Sequence, residues 1–180
     1  EEAQGAVLDS ALLLVIRYHA LLVELPHGYL ERLLRERDVA LLLVDDIYLL
    51  RPVPQCLTEV DVTHVEEGAA LARVSVEGAP ICALLDGLPM ENHPQLRGHL
   101  LVDDPDDWAP LYPVAERKHG TAMASLIVHG DQSEHLAPLR QPIYARPILR
   151  PSAGGERAPR SQLWLDLIHR AVLRIVAMDG

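Results

Sequence analysis

From Leu12 to Leu25 the mainly apolar sequence is strand-like, with Val15, Arg17, His19, Leu21 and Val23 on one face and Ile16, Tyr18, Ala20 and Leu22 on the other. That period of two predicts a strand. Pro26 then opens a helix, in which Leu30, Leu33 and Leu34 form one apolar stripe against Glu31, Arg32, Arg35 and Glu36, and Asp38 ends it. A second strand is expected from Val39 to Leu50, broken by Arg51-Pro52-Val53-Pro54. Strand, helix and strand closed by a Pro-rich linker predict a small α+β unit over residues 1–54, separate from a second domain over residues 55–180.

The second domain begins with alternating stretches between Thr58 and Glu77, consistent with short strands or a hairpin, and a turn at Gly78-Ala79-Pro80. Ile81 to Leu85 is a short apolar run that ends in Asp86-Gly87. Such a run predicts a strand buried on both faces of a parallel sheet, with a carboxylate delivered at its carboxyl end. Open α/β sheets place their chemistry at that end. Leu100-Leu101-Val102 and Pro142 to Leu149 predict two further strands. Between them Lys118-His119-Gly120-Thr121 leads into Ala122, Met123, Leu126 and Ile127 at helical spacing, which puts His119 in the first turn of a buried helix. Arg150 to Arg160, rich in Gly, Pro and Arg, predicts a surface loop. Ser161 is placed to cap a last helix whose Leu163, Trp164, Leu167, Ile168, Ala171, Val172, Ile175 and Val176 line one face. The fold class is therefore α/β.

Composition narrows the partners. A net charge of -10 without a basic patch argues against a nucleic-acid backbone and favours peptides or proteins as ligands. The longest apolar run, Ala11 to Ile16, is too short to cross a bilayer, so no membrane partner is expected. Two cysteines, Cys56 and Cys82, make no disulfide framework; Cys82, inside the expected core strand, reads as a reduced, buried thiol. That weakly favours a reducing, cytoplasmic setting, while the start at Glu1-Glu2-Ala3 without an initiator Met leaves a leader and secretion open.

An Asp at a strand end and a His at a helix start are two thirds of a catalytic triad. Leu84-Leu85-Asp86-Gly87, then Asn92-His93-Pro94-Gln95-Leu96, then His119-Gly120-Thr121-Ala122-Met123-Ala124 resemble the first two signature blocks of the subtilisin-like serine peptidases, whose catalytic order is Asp, His, Ser. The Asp-to-His gap is of the size that family uses, and the likeness covers roughly the second two thirds of the chain. The family usually has Asp-Thr-Gly where Asp86-Gly87-Leu88 stands, and often a second His and a Gly at Ala122 and Ser125. Its nucleophile comes from a Gly-Thr-Ser block, and none of Ser125, Ser133, Ser152 and Ser161, the serines after His119, has that flanking sequence.

The resemblance thus implies the amino-terminal part of a subtilisin-like parallel sheet with flanking helices. It implies peptide-bond hydrolysis through an acyl-enzyme, with Asp86 as orienting carboxylate, His119 as general base, and Ser and oxyanion-hole Asn outside this chain. Peptide or protein would be the substrate and the remainder of the same polypeptide a partner. It also suggests that residues 1–54 are a reduced, propeptide-like βαβ unit. No organic cofactor is implied. Structural calcium occurs in loops of the family, but Asp103-Asp104-Pro105-Asp106-Asp107, with His93 nearby in sequence, lacks the alternating spacing and glycine of a helix-loop-helix calcium site and reads as a solvated acidic loop. Neither a zinc-protease helix nor a phosphate loop is present in the sequence. An alternative of another class stays open: a non-catalytic binding or regulatory protein that kept the scaffold and lost the nucleophile. If the resemblance holds, the Asp86 strand is expected to lie at an open sheet edge, so that the chain self-associates or covers that edge with its amino-terminal unit.

Overall fold

The computed structural model describes residues 5–36, 45, 47–53, 74–131, 136–152 and 155–178. They divide between two compact units, one of residues 1–55 and 160–167, the other of residues 56–159 and 168–180.

In the first unit, β1 (Ala6–Leu13) and β2 (Tyr18–Glu24) form an antiparallel hairpin with a bulge between Val7 and Asp9, and α1 (His27–Arg35) follows. The alternation from Leu12 onward therefore belongs to two strands, not one. A 3-10 turn at Leu14–Ile16 and a left-handed Arg17 (φ 52°) reverse the chain between them. No Gly or Pro marks this turn, and its Leu14, Val15 and Ile16 are exposed, so the apolar run hid it. The described order here is strand, strand, helix, in place of the expected strand, helix, strand. Residues 39–44 and 46 of the second expected strand lie outside the described residues, as does Asp38, and 47–50 form no strand. The α1 stripe is also less covered than expected, since Leu30 and Leu34 are exposed and only Leu33 is half-buried. Asp9 accepts a hydrogen bond from the Leu163 N–H at 2.8 Å, tying the hairpin to the segment before the last helix.

The second unit mixes helices and strands around a parallel three-stranded sheet, which makes the fold α/β. Its strands are β3 (Ala83–Asp86), β4 (Leu100–Val102) and β5 (Ile143–Pro147), in the order β3-β5-β4, and α2 (Lys118–His129) lies between β4 and β5 in the chain. Every residue of the central β5 is buried. Leu84, Leu96, Leu100, Ala124, Val128 and Ile143 form the core between the sheet and α2. On α2 the buried positions are Gly120, Thr121, Ala124, Val128 and His129, with Ala122 and Leu126 exposed. The helix is thus turned by about one residue from the expected face, because small residues, not the largest ones, let it approach the sheet.

β3 has β5 on one side and no partner strand on the other among the described residues. That corrects the reading of a run buried on both faces: Ile81 is 55% exposed, Cys82 is exposed, and only Leu84 and Asp86 of the strand are buried. The buried side chains of β3, Leu84 and Asp86, are those that meet α2. Cys56 lies outside the described residues, as do residues 54–73 of the expected lead-in strands.

The stretch expected as a surface loop is instead a small antiparallel hairpin of β6 (Arg150–Ser152) and β7 (Gly155–Arg157). Its polar composition does not keep it in solvent, because Arg150 stacks its guanidinium 4.5 Å over the buried Trp108 ring, and Glu156 turns inward. The last helix, α3 (Trp164–Met178), buries Leu167 and Ala171 but leaves Val172 and Val176 exposed, so its expected apolar face is covered only in part. It starts after Ser161 and Gln162, which places Ser161 outside the helix. Among the described residues no helix is long and apolar enough to cross a membrane.

Candidate functional site: a buried Asp-His couple with a second carboxyl

The site forms where the carboxyl end of β3 meets the first turn of α2. Two glycines allow that approach. A Cβ on Gly120 would run into the carbonyl group of Gly87, and one on Gly87 would overlap the Glu156 carboxylate. Without side chains at either position, strand end and helix start can lie backbone against backbone. Thr121 then fastens them: its hydroxyl accepts the Met90 N–H at 2.9 Å and donates to the Arg117 carbonyl at 2.5 Å. From the other side, the Ile148 N–H donates to the Asp86 carbonyl at 2.8 Å.

The frame brings Asp86 and His119 together. Asp86 Oδ1 lies 2.8 Å from His119 Nδ1 and also accepts the Gly87 N–H at 2.7 Å. Asp86 is 8% exposed, whereas the His119 side chain is 23% exposed. With Nδ1–H donated to the carboxylate, the tautomer is fixed and Nε2 carries the lone pair. No hydrogen bond from a described residue reaches Nε2. A buried carboxylate on one nitrogen and an open lone pair on the other make an oriented general base.

A third ionisable group was not legible in the sequence. Glu156, on β7, is only 2% exposed, and its Oε2 lies 3.9 Å from His119 Nδ1. Among the described residues neither of its oxygens has a hydrogen-bond partner, and no Lys or Arg is ion-paired with it. Burial above all, then the charge of Asp86, pushes its carboxyl up to about 7, with Glu116 adding to the push and Tyr112 and His119 opposing it. The Tyr112 hydroxyl has one proton, which the Leu149 carbonyl holds at 2.7 Å, so the phenol relieves Glu156 only in part. Tyr112 itself is held protonated by burial and by the charge of Glu156. The sequence offered one oblique signal for Glu156, the glycine that follows Asp86; the space a side chain there would fill is where the Glu156 carboxyl sits.

Asp86, His119 and Glu156 are also the group among the described residues that could hold a metal ion, offering one ligand atom each, all within 4.8 Å of one another.

The acidic loop does not join the site, and it is not simply solvated. Asp103 accepts hydrogen bonds from the Tyr144 hydroxyl and the Arg174 guanidinium, which hold its carboxyl below the usual range. Asp104 accepts the Ala109 N–H at 2.7 Å, and Asp106 faces Arg146 at 3.5 Å and Arg170 at 3.6 Å. With their carboxylates committed to these donors, the loop braces the sheet. Of the serines named above, Ser133 lies outside the described residues, and Ser125, Ser152 and Ser161 make no hydrogen bond to His119. No protein-family model, curated protein or solved structure matches the chain.

Proposed function

We propose that this chain is the amino-terminal part of a subtilisin-like serine endopeptidase and supplies the Asp-His half of its triad. The observation that carries the reading is the 2.8 Å contact between Asp86 Oδ1 and His119 Nδ1, with Nε2 unoccupied on the far side of the ring. Nε2 takes the proton of a serine hydroxyl as that oxygen attacks the scissile carbonyl, and later returns it to the leaving amine. Asp86 holds the ring in the tautomer this requires and stabilises the imidazolium. The serine and the oxyanion-hole Asn come from the remainder of the polypeptide, and the substrate is a peptide or protein.

The test is hydrolysis of a casein-type substrate. The polypeptide that carries this segment together with its nucleophile should cleave it, and H119Q should abolish cleavage. These 180 residues alone should show no activity, since a base without a nucleophile has nothing to activate. Turnover by the 180-residue chain itself would overturn the reading.

A further inference from the structure

Glu156 has no place in the triad chemistry, yet its side chain is only 3% exposed, and among the described residues neither of its oxygens has a hydrogen-bond partner. A buried carboxyl that accepts no hydrogen bond is costly unless a ligand completes it. This one is aimed at the Asp-His couple, with Oε2 3.9 Å from the same His119 Nδ1 that Asp86 Oδ1 meets at 2.8 Å. Room for it exists because Gly87 has no side chain, since a Cβ there would overlap the carboxylate. We propose that Asp86, His119 and Glu156 form a site for a single divalent cation of the zinc type, bound through His119 Nδ1 and one oxygen of each carboxylate.

The donor set selects the metal. An imidazole nitrogen with two carboxylate oxygens suits zinc and its first-row neighbours, which accept three protein ligands and leave a fourth position to water. Calcium takes roughly six to eight oxygens, more than two carboxylates supply. Tetrahedral ligands about 2.1 Å from zinc stand about 3.4 Å apart. That spacing falls between the 2.8 Å and 3.9 Å separations at Nδ1, and the three ligand atoms all lie within 4.8 Å of one another. Side-chain movements of about 1 Å therefore reach the coordinated geometry. The Gly87 N–H, donated to Asp86 Oδ1 at 2.7 Å, already holds one ligand in place. Coordination displaces to solvent any proton on the Glu156 carboxyl and moves the ring hydrogen from Nδ1 to Nε2. The consequence for activity, which rests on the peptidase reading, is inhibition. With the metal on Nδ1, Nε2 carries the hydrogen and has no lone pair for a serine proton. Zinc binding and base catalysis therefore exclude each other at His119.

Calorimetric titration of the chain with zinc chloride tests the site without a peptidase assay. Heat should saturate at about one Zn2+ per chain, Co2+ should bind in its place with the intense visible bands of a tetrahedral centre, and excess Ca2+ should not compete. E156Q and H119Q should each weaken binding by about 100-fold or more, beyond the loss expected from an outer partner of the ligands. Should E156Q not fold, H119Q still decides, because the His119 side chain is 23% exposed and tolerates the change. H27Q removes the exposed His27–Glu31 pair, 3.5 Å apart on α1, and should leave binding unchanged. No binding, equal binding by E156Q and H119Q, or binding lost in H27Q would mean an adventitious ion only and overturn the inference. In the polypeptide that includes the nucleophile, zinc should suppress cleavage at the concentration that fills the site on the chain, and EDTA should restore it. Cleavage untouched by zinc, with no binding by the chain, overturns the inference and leaves the peptidase reading standing. Binding that depends on Glu156 and His119 in a polypeptide that cleaves no peptide upholds the site and overturns the peptidase reading instead.

Discussion

Asp86→Asn, placed in the polypeptide that includes the nucleophile, should lower turnover by about four orders of magnitude while leaving the fold intact. The amide is the same size as the carboxylate and can still meet the ring. Its Nδ2 end, however, donates rather than accepts, and its oxygen carries no charge to stabilise the imidazolium. A ring that turns to satisfy the amide loses the tautomer in which Nε2 is free. Four orders of magnitude correspond to about 5.5 kcal/mol of transition-state stabilisation, more than any packing change at this site would supply. Retention of the backbone NMR spectrum with lost turnover is the expected pattern. Near-normal turnover would show that Asp86 does not orient the base.

Gly120→Ala should be the most damaging small substitution in the same frame. In an exposed helix, Gly to Ala stabilises by about 1 kcal/mol. Here the added methyl meets backbone, the carbonyl group of Gly87 and, at 3.2 Å, the carbonyl carbon of Leu88, and backbone cannot swing aside as a long side chain can. Separating α2 from the end of β3 should cost about 3 kcal/mol net and draw His119 away from Asp86. Urea denaturation measures the first effect, and loss of the deshielded Nδ1 proton signal reports the second. Ala122→Gly, on the exposed side of the same helix, should cost only about 1 kcal/mol and leave that signal in place. Unchanged or raised stability of G120A would mean that the two backbones are not in contact.

The contrast between these glycines and Glu156 shows what a sequence discloses. A carboxylate at the end of a short apolar run and a histidine at the head of a helix are local patterns, and the chain brings them together because both elements pack on β5. Glu156 reaches the same place through a hairpin whose Gly, Pro and Arg content looks solvated, so no local pattern announces its burial. Arg150 is the reason in part, since its guanidinium is spent on the Trp108 face and not on water. The apolar turn at Leu14–Ile16 misled for the opposite cause, exposed residues that resemble a strand interior. Cys82 looked buried because the run around it is apolar, yet it lies ahead of β3 and is exposed. On α2 Met123 and Ile127 of the expected face pack against the core, while Ala122 and Leu126 are exposed. Close packing against the sheet selected Gly120, Thr121 and Ala124 for burial.

The role proposed for His119 is that of general base for a serine outside these residues. Reaction with a fluorophosphonate, followed by peptide mapping, tests it most directly in the polypeptide that carries the segment and its nucleophile. One modified serine is expected, outside these 180 residues, at a rate that falls by orders of magnitude in H119Q and in D86N. Modification at the same rate in H119Q, or of a serine within the segment, would contradict it.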